Sequence, residues 1–429
     1  MKTHSFTLQN TLRTVVIDTG GAESATVLLL VGAGSRYETP KNNGIAHFFE
    51  HMAFKGSLKY PDSFTISSTI DGMGGVFNAF TSKDHTGYWI KGTADKTGLM
   101  LDVLSDMITS AKLESVEIEK EKGVIIEEIN MYEDMPQHKV SQVYDTILYP
   151  DHPLGMDIAG THQTVKSFKR EDFLDYIHKL YHPDNAVLVV SGGIGKDLNR
   201  IRDEVAKTFG QWNDDSGHSR QYDFENYHHA TSQKVVKVHN KKTEQAHFVM
   251  GYTTEYGFLD DRKYALSVLA AILGGGMSSR LFVEIREKRG LCYYVHTARD
   301  MYAETGSLVT SAGVRCDISV VNEALKLIVE EHGLIASGQG KDKLEVEMNR
   351  TKEMLKGRFL LSLEDSQSVA GFYGNKLLLE GSRMEPKDVV DRIEKVTVDD
   401  VINEAKIAVQ DEKIRLAVIG PFNESEIKI

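Results

Sequence analysis

Asn43-Gly-Ile-Ala-His-Phe-Phe-Glu-His-Met-Ala-Phe-Lys-Gly56 is the stretch from which the rest of the chain can be read. Ile45, Phe48, Phe49, Met52 and Phe54 give it apolar content, and no proline interrupts it. Asn42 or Asn43 can cap its start and Gly56 can end it, so it predicts a helix. On that helix His47 and His51 are four apart and project from one face, one turn from each other. Two imidazoles at that spacing can ligate one zinc ion. Glu50, three residues after His47, places a carboxylate beside the same face, in reach of a water that the metal would activate. The order H-x-x-E-H is the inverted form of the zincin motif. A polar edge on a core helix would use the same letters. Catalytic zinc usually has three protein ligands and a water, so the question is whether a third ligand lies downstream.

Composition bounds the answer. A chain of 429 residues predicts two or more domains. Hydrophobic residues at 41% and charged residues at 26% provide a core of ordinary size. The formal net charge is −12, from 62 acidic and 50 basic residues, with no basic stripe, which argues against a nucleic-acid partner. The two cysteines, Cys292 and Cys316, are too few for a disulfide framework and point to a reducing compartment, hence a cytoplasmic location. The N-terminus carries no signal-peptide run, and no 18-residue apolar stretch exists to span a membrane.

Outward from the His47 helix, residues 5–18 read as a hairpin and Ala25 to Gly32 as a well-buried strand, since its apolar run is continuous. Asp62-Ser63 caps a second helix to about Met73. Strands follow at 76–82 and 86–92, then helices at 96–110, 115–134, 138–148 and 170–181, a strand at 185–191 and a helix at 201–209. Asp214 to Gln233 is polar, holds the His228-His229 pair and reads as an interdomain linker. Afterwards the pattern restarts: strands at 234–239 and 244–251, a helix at 261–273, Gly274-Gly275-Gly276, a helix at 279–288, strands at 292–300 and 306–314, helices at 317–335 and 342–360, and a strand at 414–419. The triple glycine lacks the G-x-x-x-x-G-K-[ST] pattern and is not a phosphate loop.

The same order thus occurs twice, which implies an internal duplication. The expected class is α+β, with two homologous halves, each a mainly antiparallel sheet covered by helices: residues 1–213, a linker at 214–233, and residues 234–429. Placing Ala265 over Ala46 puts Leu266 on His47, Leu269 on Glu50 and Ala270 on His51. The second half would keep the fold and lack the metal.

The charged helix from Ser115 is where a third ligand can sit. Glu121 and Glu128 are seven apart and nearly superposed on one face, with Val124, Ile125 and Ile129 on or near it. A carboxylate beside aliphatics needs a partner, and a zinc ion would be one. Spacing alone does not separate Glu127 from Glu128.

Gly44-Ile-Ala-His-Phe-Phe-Glu-His-Met-Ala-Phe-Lys-Gly56 and Glu121-Lys-Gly-Val-Ile-Ile-Glu-Glu-Ile129 together resemble the pitrilysin/insulinase family of zinc metallopeptidases, which includes the mitochondrial processing peptidase. The resemblance implies that Glu128 is the third ligand, some 76 residues past His51, and that Glu121 supports the site from two turns earlier. Gly75-Val-Phe-Asn-Ala-Phe-Thr-Ser82 resembles the family's edge strand, which implies that Asn78, Ala79 and Phe80 meet a peptide added as a strand. Tyr181-His-Pro-Asp-Asn-Ala-Val-Leu-Val-Val-Ser-Gly192 resembles the strand that closes the first half. The segment from Gly274 to Tyr294 resembles the second-half signature, whose arginine and tyrosine fall on Arg286 and Tyr293. Their implied role is to hold substrate and stabilise charge on the scissile carbonyl. Ser57 and Cys292 depart from the family's commoner threonine and alanine without touching a catalytic letter.

The expectation is therefore a zinc endopeptidase with His47, His51 and Glu128 as ligands and Glu50 as general base. Larger relatives carry four such domains around a chamber, so the resemblance implies a dimer of this two-domain chain, most simply a homodimer, acting on short or unfolded peptides. A heterodimer with a related subunit is the variant form. The rival reading is a non-catalytic or partner-dependent subunit, and the intact metal letters argue against it.

Overall fold

The computed structural model describes residues 1–195, 198–212 and 233–429. The polar stretch read as a linker, with its histidine pair, lies outside the described residues except for Gln233. The strands are β1 Lys2–Thr7, β2 Arg13–Asp18, β3 Ser24–Val31, β4 Val76–Thr81, β5 Thr86–Thr93, β6 Ala186–Gly192, β7 Val235–Asn240, β8 Gln245–Thr254, β9 Cys292–Met301, β10 Gly306–Arg315 and β11 Arg415–Gly420. The helices are α1 Ile45–Ala53, α2 Ser63–Gly72, α3 Thr97–Thr109, α4 Ser115–Asp134, α5 Pro136–Leu148, α6 His162–Ser167, α7 Arg170–Leu180, α8 Leu198–Phe209, α9 Arg262–Gly274, α10 Ile318–Ala336, α11 Lys341–Ser362, α12 Ser366–Leu379, α13 Pro386–Lys395 and α14 Val398–Ala408. Predicted boundaries differ by a few residues. α6, α12, α13 and α14 are not among the predicted helices. Among the described residues no helix is long and apolar enough to cross a membrane.

The chain forms two compact units, each with one sheet. The first takes Met1–Ile129, the described part of Met156–Tyr222, and Leu361–Glu385. Its strands run β1-β2-β6-β3-β5-β4, antiparallel except for the parallel pair β2 and β6. β3 is the uninterrupted apolar strand of the sequence. It is buried along its length apart from Ser24, because both faces of the sheet are covered there. α3 packs on β3 and β5, and α12 packs on β3 and β6.

The second unit takes Asn130–Gly155, the described part of Asp223–Leu360, and Pro386–Ile429. Its order, β7-β11-β8-β10-β9, repeats that of the first without β1, again with one parallel pair, β7 and β11. α9 lies on end strand β9 as α1 lies on end strand β4. α5 packs on β8 and β11, the counterparts of β3 and β6. Its apolar stripe Val140, Tyr144 and Leu148 meets Val249, Ala417 and Ile419. The duplication is thus visible strand by strand. One helix from each half of the sequence, α5 and α12, covers the sheet built from the other half.

Candidate metal centre

α1 is buried at Ile45, Ala46, Phe48, Phe49, Met52 and Ala53, and half-buried at His47, Glu50 and His51. Its apolar side is bedded on aromatics: Phe48 meets Phe168 and Phe173 edge-on, and Phe49 meets Tyr181 at 4.7 Å between centroids. Burying each such side chain stabilises the fold by about 1.5–3 kcal/mol, which fixes which face is left for the polar residues. The predicted caps are replaced. The N-cap is Gly44, at φ 97°, where any side chain would strike the Ala159 carbonyl. Glu38 satisfies the free N–H groups instead. Its carboxylate accepts from the Gly44 and Ala46 amides, both at 2.8 Å, and from Asn43 at 2.9 Å. The helix ends at Ala53, before Gly56.

α4 presents Ile118, Glu121 and Ile125 as its buried stripe, with Glu128 next in line and Glu127 exposed. Val124, expected near this face, is instead exposed. The stripe carries Glu128 to the two histidines. Its Oε2 is 3.6 Å from His47 Nε2 and 3.5 Å from His51 Nε2. Among the described residues these three form the one group of three or more His, Cys, Asp or Glu side chains close enough to share a cation.

The donor set fits zinc. Ligand atoms held tetrahedrally at zinc distances lie roughly 3.4 Å from one another, close to the two separations found. Burial, then the neighbouring His51, pushes His47 down to about 3, so its imidazole is neutral. Among the described residues His47 Nδ1 has no hydrogen-bond partner, and the polar neighbour of this ring is Glu128 on the Nε2 side. His51 behaves oppositely. Burial works against its proton, but the bond to Glu121 and the charges of Glu128, Glu121 and Glu50 hold it above its ordinary range. A divalent cation would take the place of that proton.

Glu121 accepts from His51 Nδ1 at 2.9 Å, a bond that would leave Nε2 able to ligate a metal. Lys55 pairs with the other Glu121 oxygen at 2.5 Å. Burial works against ionisation of Glu121, but the His51 and Lys55 contacts prevail and keep its carboxyl below the usual range. Replacing Glu121 by Gln is expected to weaken zinc binding about 10- to 100-fold with the fold retained, as measured by competition with a chelating dye. Equal affinity would remove Glu121 from the site.

Glu50 accepts from the Thr81 hydroxyl at 2.6 Å. Burial raises its carboxyl above the usual range, and the Thr81 bond works against that shift. Thr81 ends β4, the end strand of the first sheet. Asn78 and Phe80 are exposed on this strand, Ala79 is half-buried, and the Ala79 amide donates to the Asn78 side chain at 2.8 Å. Phe80 lies over Gly87 of β5, where a side chain would collide with its ring.

Arg286 and Tyr293 come together in the second unit. Arg286 sits in a π-helical turn, Phe282–Glu287, within the helix predicted over 279–288. Its guanidinium lies 4.8 Å from the Phe282 ring centroid and 5.5 Å from that of Tyr293, which is 75% exposed. Such turns are rare and frequent at functional sites. The residues equated with the metal letters, Leu266, Leu269 and Ala270, are all buried.

Sequence reasoning missed three side chains that serve this site: Glu38, Lys55 and Thr81. Two had a readable signal. Lys55 is four residues past His51 on the motif face, and Thr81 shares a strand face with Ala79.

Residues 13–162 match the family described as Insulinase (Peptidase family M16), and residues 167–352 match the Peptidase M16 inactive domain. An uncharacterized zinc protease of Bacillus subtilis (strain 168) is 34% identical over 417 residues, 97% of this chain and 98% of its own. The chain belongs to the insulinase family, M16. An uncharacterized zinc protease of Streptomyces coelicolor is likewise 34% identical, over 98% of this M16 chain and 90% of its own. A protease from Helicobacter pylori shares the fold, with a TM-score of 0.91, 98% of this chain and 99% of that one covered, and 23% identity. Membership, with relatives named zinc proteases at 34% identity over nearly the whole chain, makes this M16 chain a zinc metallopeptidase.

Proposed function

We propose that this M16 chain is an endopeptidase that hydrolyses short or unfolded peptides as a homodimer enclosing a chamber, in a reducing, cytoplasmic compartment. The observation that carries the reading is the convergence of His47, His51 and Glu128 beside Glu50, with Glu50 tied to the end strand β4. His47, His51 and Glu128 would hold the zinc. When bound, zinc supplies a Lewis acid that polarises the scissile carbonyl and makes water a nucleophile near neutral pH. Glu50 takes the proton of the attacking water on its carboxylate and delivers it to the leaving amine. A peptide extends β4, taking over the Ala79 amide from the Asn78 side chain, with Phe80 beside it. Tyr293 and Arg286 of a second copy bind the substrate backbone or the developing oxyanion, Tyr293 from an exposed position. Both cysteines are unpaired, in keeping with the compartment.

Metal content, mass in solution and cleavage of quenched fluorogenic peptides by the purified chain test this reading. The expected result is a zinc-loaded dimer that cleaves unfolded peptides and spares folded proteins. Zinc without cleavage, recovered by adding a related subunit, would replace the homodimer by a heterodimer. Absence of zinc after reconstitution would overturn the site.

A further inference from the structure

We infer that Thr81 is a positioning residue for Glu50, one that ties the general base to the strand on which the peptide would lie. This inference rests on the peptidase reading above and goes beyond its ligand and base assignments.

The contact is one-sided. Thr81 Oγ1 donates to Glu50 Oε2 at 2.6 Å, and Glu50 Oε1 makes no hydrogen bond among the described residues. One oxygen is tethered and the other is left to take a proton. The direction of the bond is also set. The buried Thr86 hydroxyl gives its proton to the Ala33 carbonyl at 2.7 Å. It therefore offers none to Thr81, 3.4 Å away, and the Thr81 proton points at Glu50. A carboxylate that receives a fixed proton donor is held in one rotamer and kept available as a base.

Thr81 is itself held by the substrate strand. Phe77, Ala79 and Thr81 share one face of β4, and Thr81 stands opposite Thr86 of β5. The turn that follows is anchored below the surface. Arg36 pairs with Asp84, and Lys83 reaches the Met156 carbonyl. The Ser35 and Arg36 amides donate to the Ser82 and Lys83 carbonyls. A peptide paired with β4 at Ala79 is thus registered against Thr81 two residues on, and through its hydroxyl against the base. Binding of the strand and aim of the carboxylate are fixed by one rigid element.

The test compares Thr81→Val, which keeps the shape and deletes the hydroxyl, with Thr81→Ser, which keeps the hydroxyl, both zinc-loaded. Thr81→Val is expected to lower kcat about 10- to 100-fold, with KM within about twofold and zinc content unchanged. Thr81→Ser is expected to stay within about threefold of wild type. In a crystal structure of Thr81→Val the Glu50 carboxylate is expected to leave its wild-type place, a readout independent of turnover. A kcat for Thr81→Val within twofold of wild type, equal losses in the two variants, or an unmoved carboxylate would overturn the inference. Failure of the peptidase reading looks different: wild type would then cleave no faster than Glu50→Gln, whatever stands at position 81.

Discussion

Glu50→Gln is expected to lower kcat for peptide cleavage by about 10²- to 10⁴-fold while zinc binding and thermal stability stay at wild-type values. Gln keeps the volume, and its carbonyl can still accept from Thr81, so the helix and strand have no reason to move. It cannot take a proton from water, and that is the step removed. Glu50 is outside the ligand set, so metal content separates this loss from loss of the site. Activity within tenfold of wild type would mean that another group serves as the base.

Glu128→Gln is the second large effect. Removing this carboxylate leaves two imidazoles, fewer protein ligands than a catalytic zinc site usually has. Zinc affinity is expected to fall by more than the roughly 10- to 100-fold that an outer partner such as Glu121 costs, and cleavage is expected to fall below detection. Glu127→Gln is the matched comparison: exposed, one residue away, and expected to change stability by about 0.5 kcal/mol or less with zinc retained. Loss of zinc from the Glu127 variant and not the Glu128 variant would invert the assignment.

That pair also marks where sequence reasoning stops. Neighbouring residues on a helix point about 100° apart, and only packing decides which one faces inward. The burial of Ile118, Glu121 and Ile125 decides it for α4, and Glu128 continues their line. The His47 helix was legible because its apolar face, its two histidines and Glu50 lie within two turns. Its cap was not, since a carboxylate from Glu38 replaces the local asparagines. The repeated strand order was legible from pattern alone. The continuous apolar run of β3 announced that both faces are buried, but not by what. α12, joined to β3 by the Thr26–Ser366 hydroxyl contact across 340 residues, carries glycines, serines and apolar residues with no clear stripe and gave no periodic signal. Thr81 lies at a strand end, where alternation gives the face but not the partner.

The exchanged helices also set an order of events at the ribosome. The strands of the first sheet are complete once Gly192 has emerged, yet the helix that closes over β3 and β6 starts at Ser366. About 170 residues lie between them, which translation at 5–20 residues per second adds in roughly 10–35 s. Through that interval the apolar face of β3 and β6 lacks the helix that covers it, and exposed apolar surface of this kind attracts chaperones and neighbouring nascent chains. α5 is the mirror case: it is made early and must wait for β8 and β11 before Val140, Tyr144 and Leu148 find cover. Neither sheet is closed until its late-made partner arrives, and for the first that arrival follows β7 to β10 and α8 to α11.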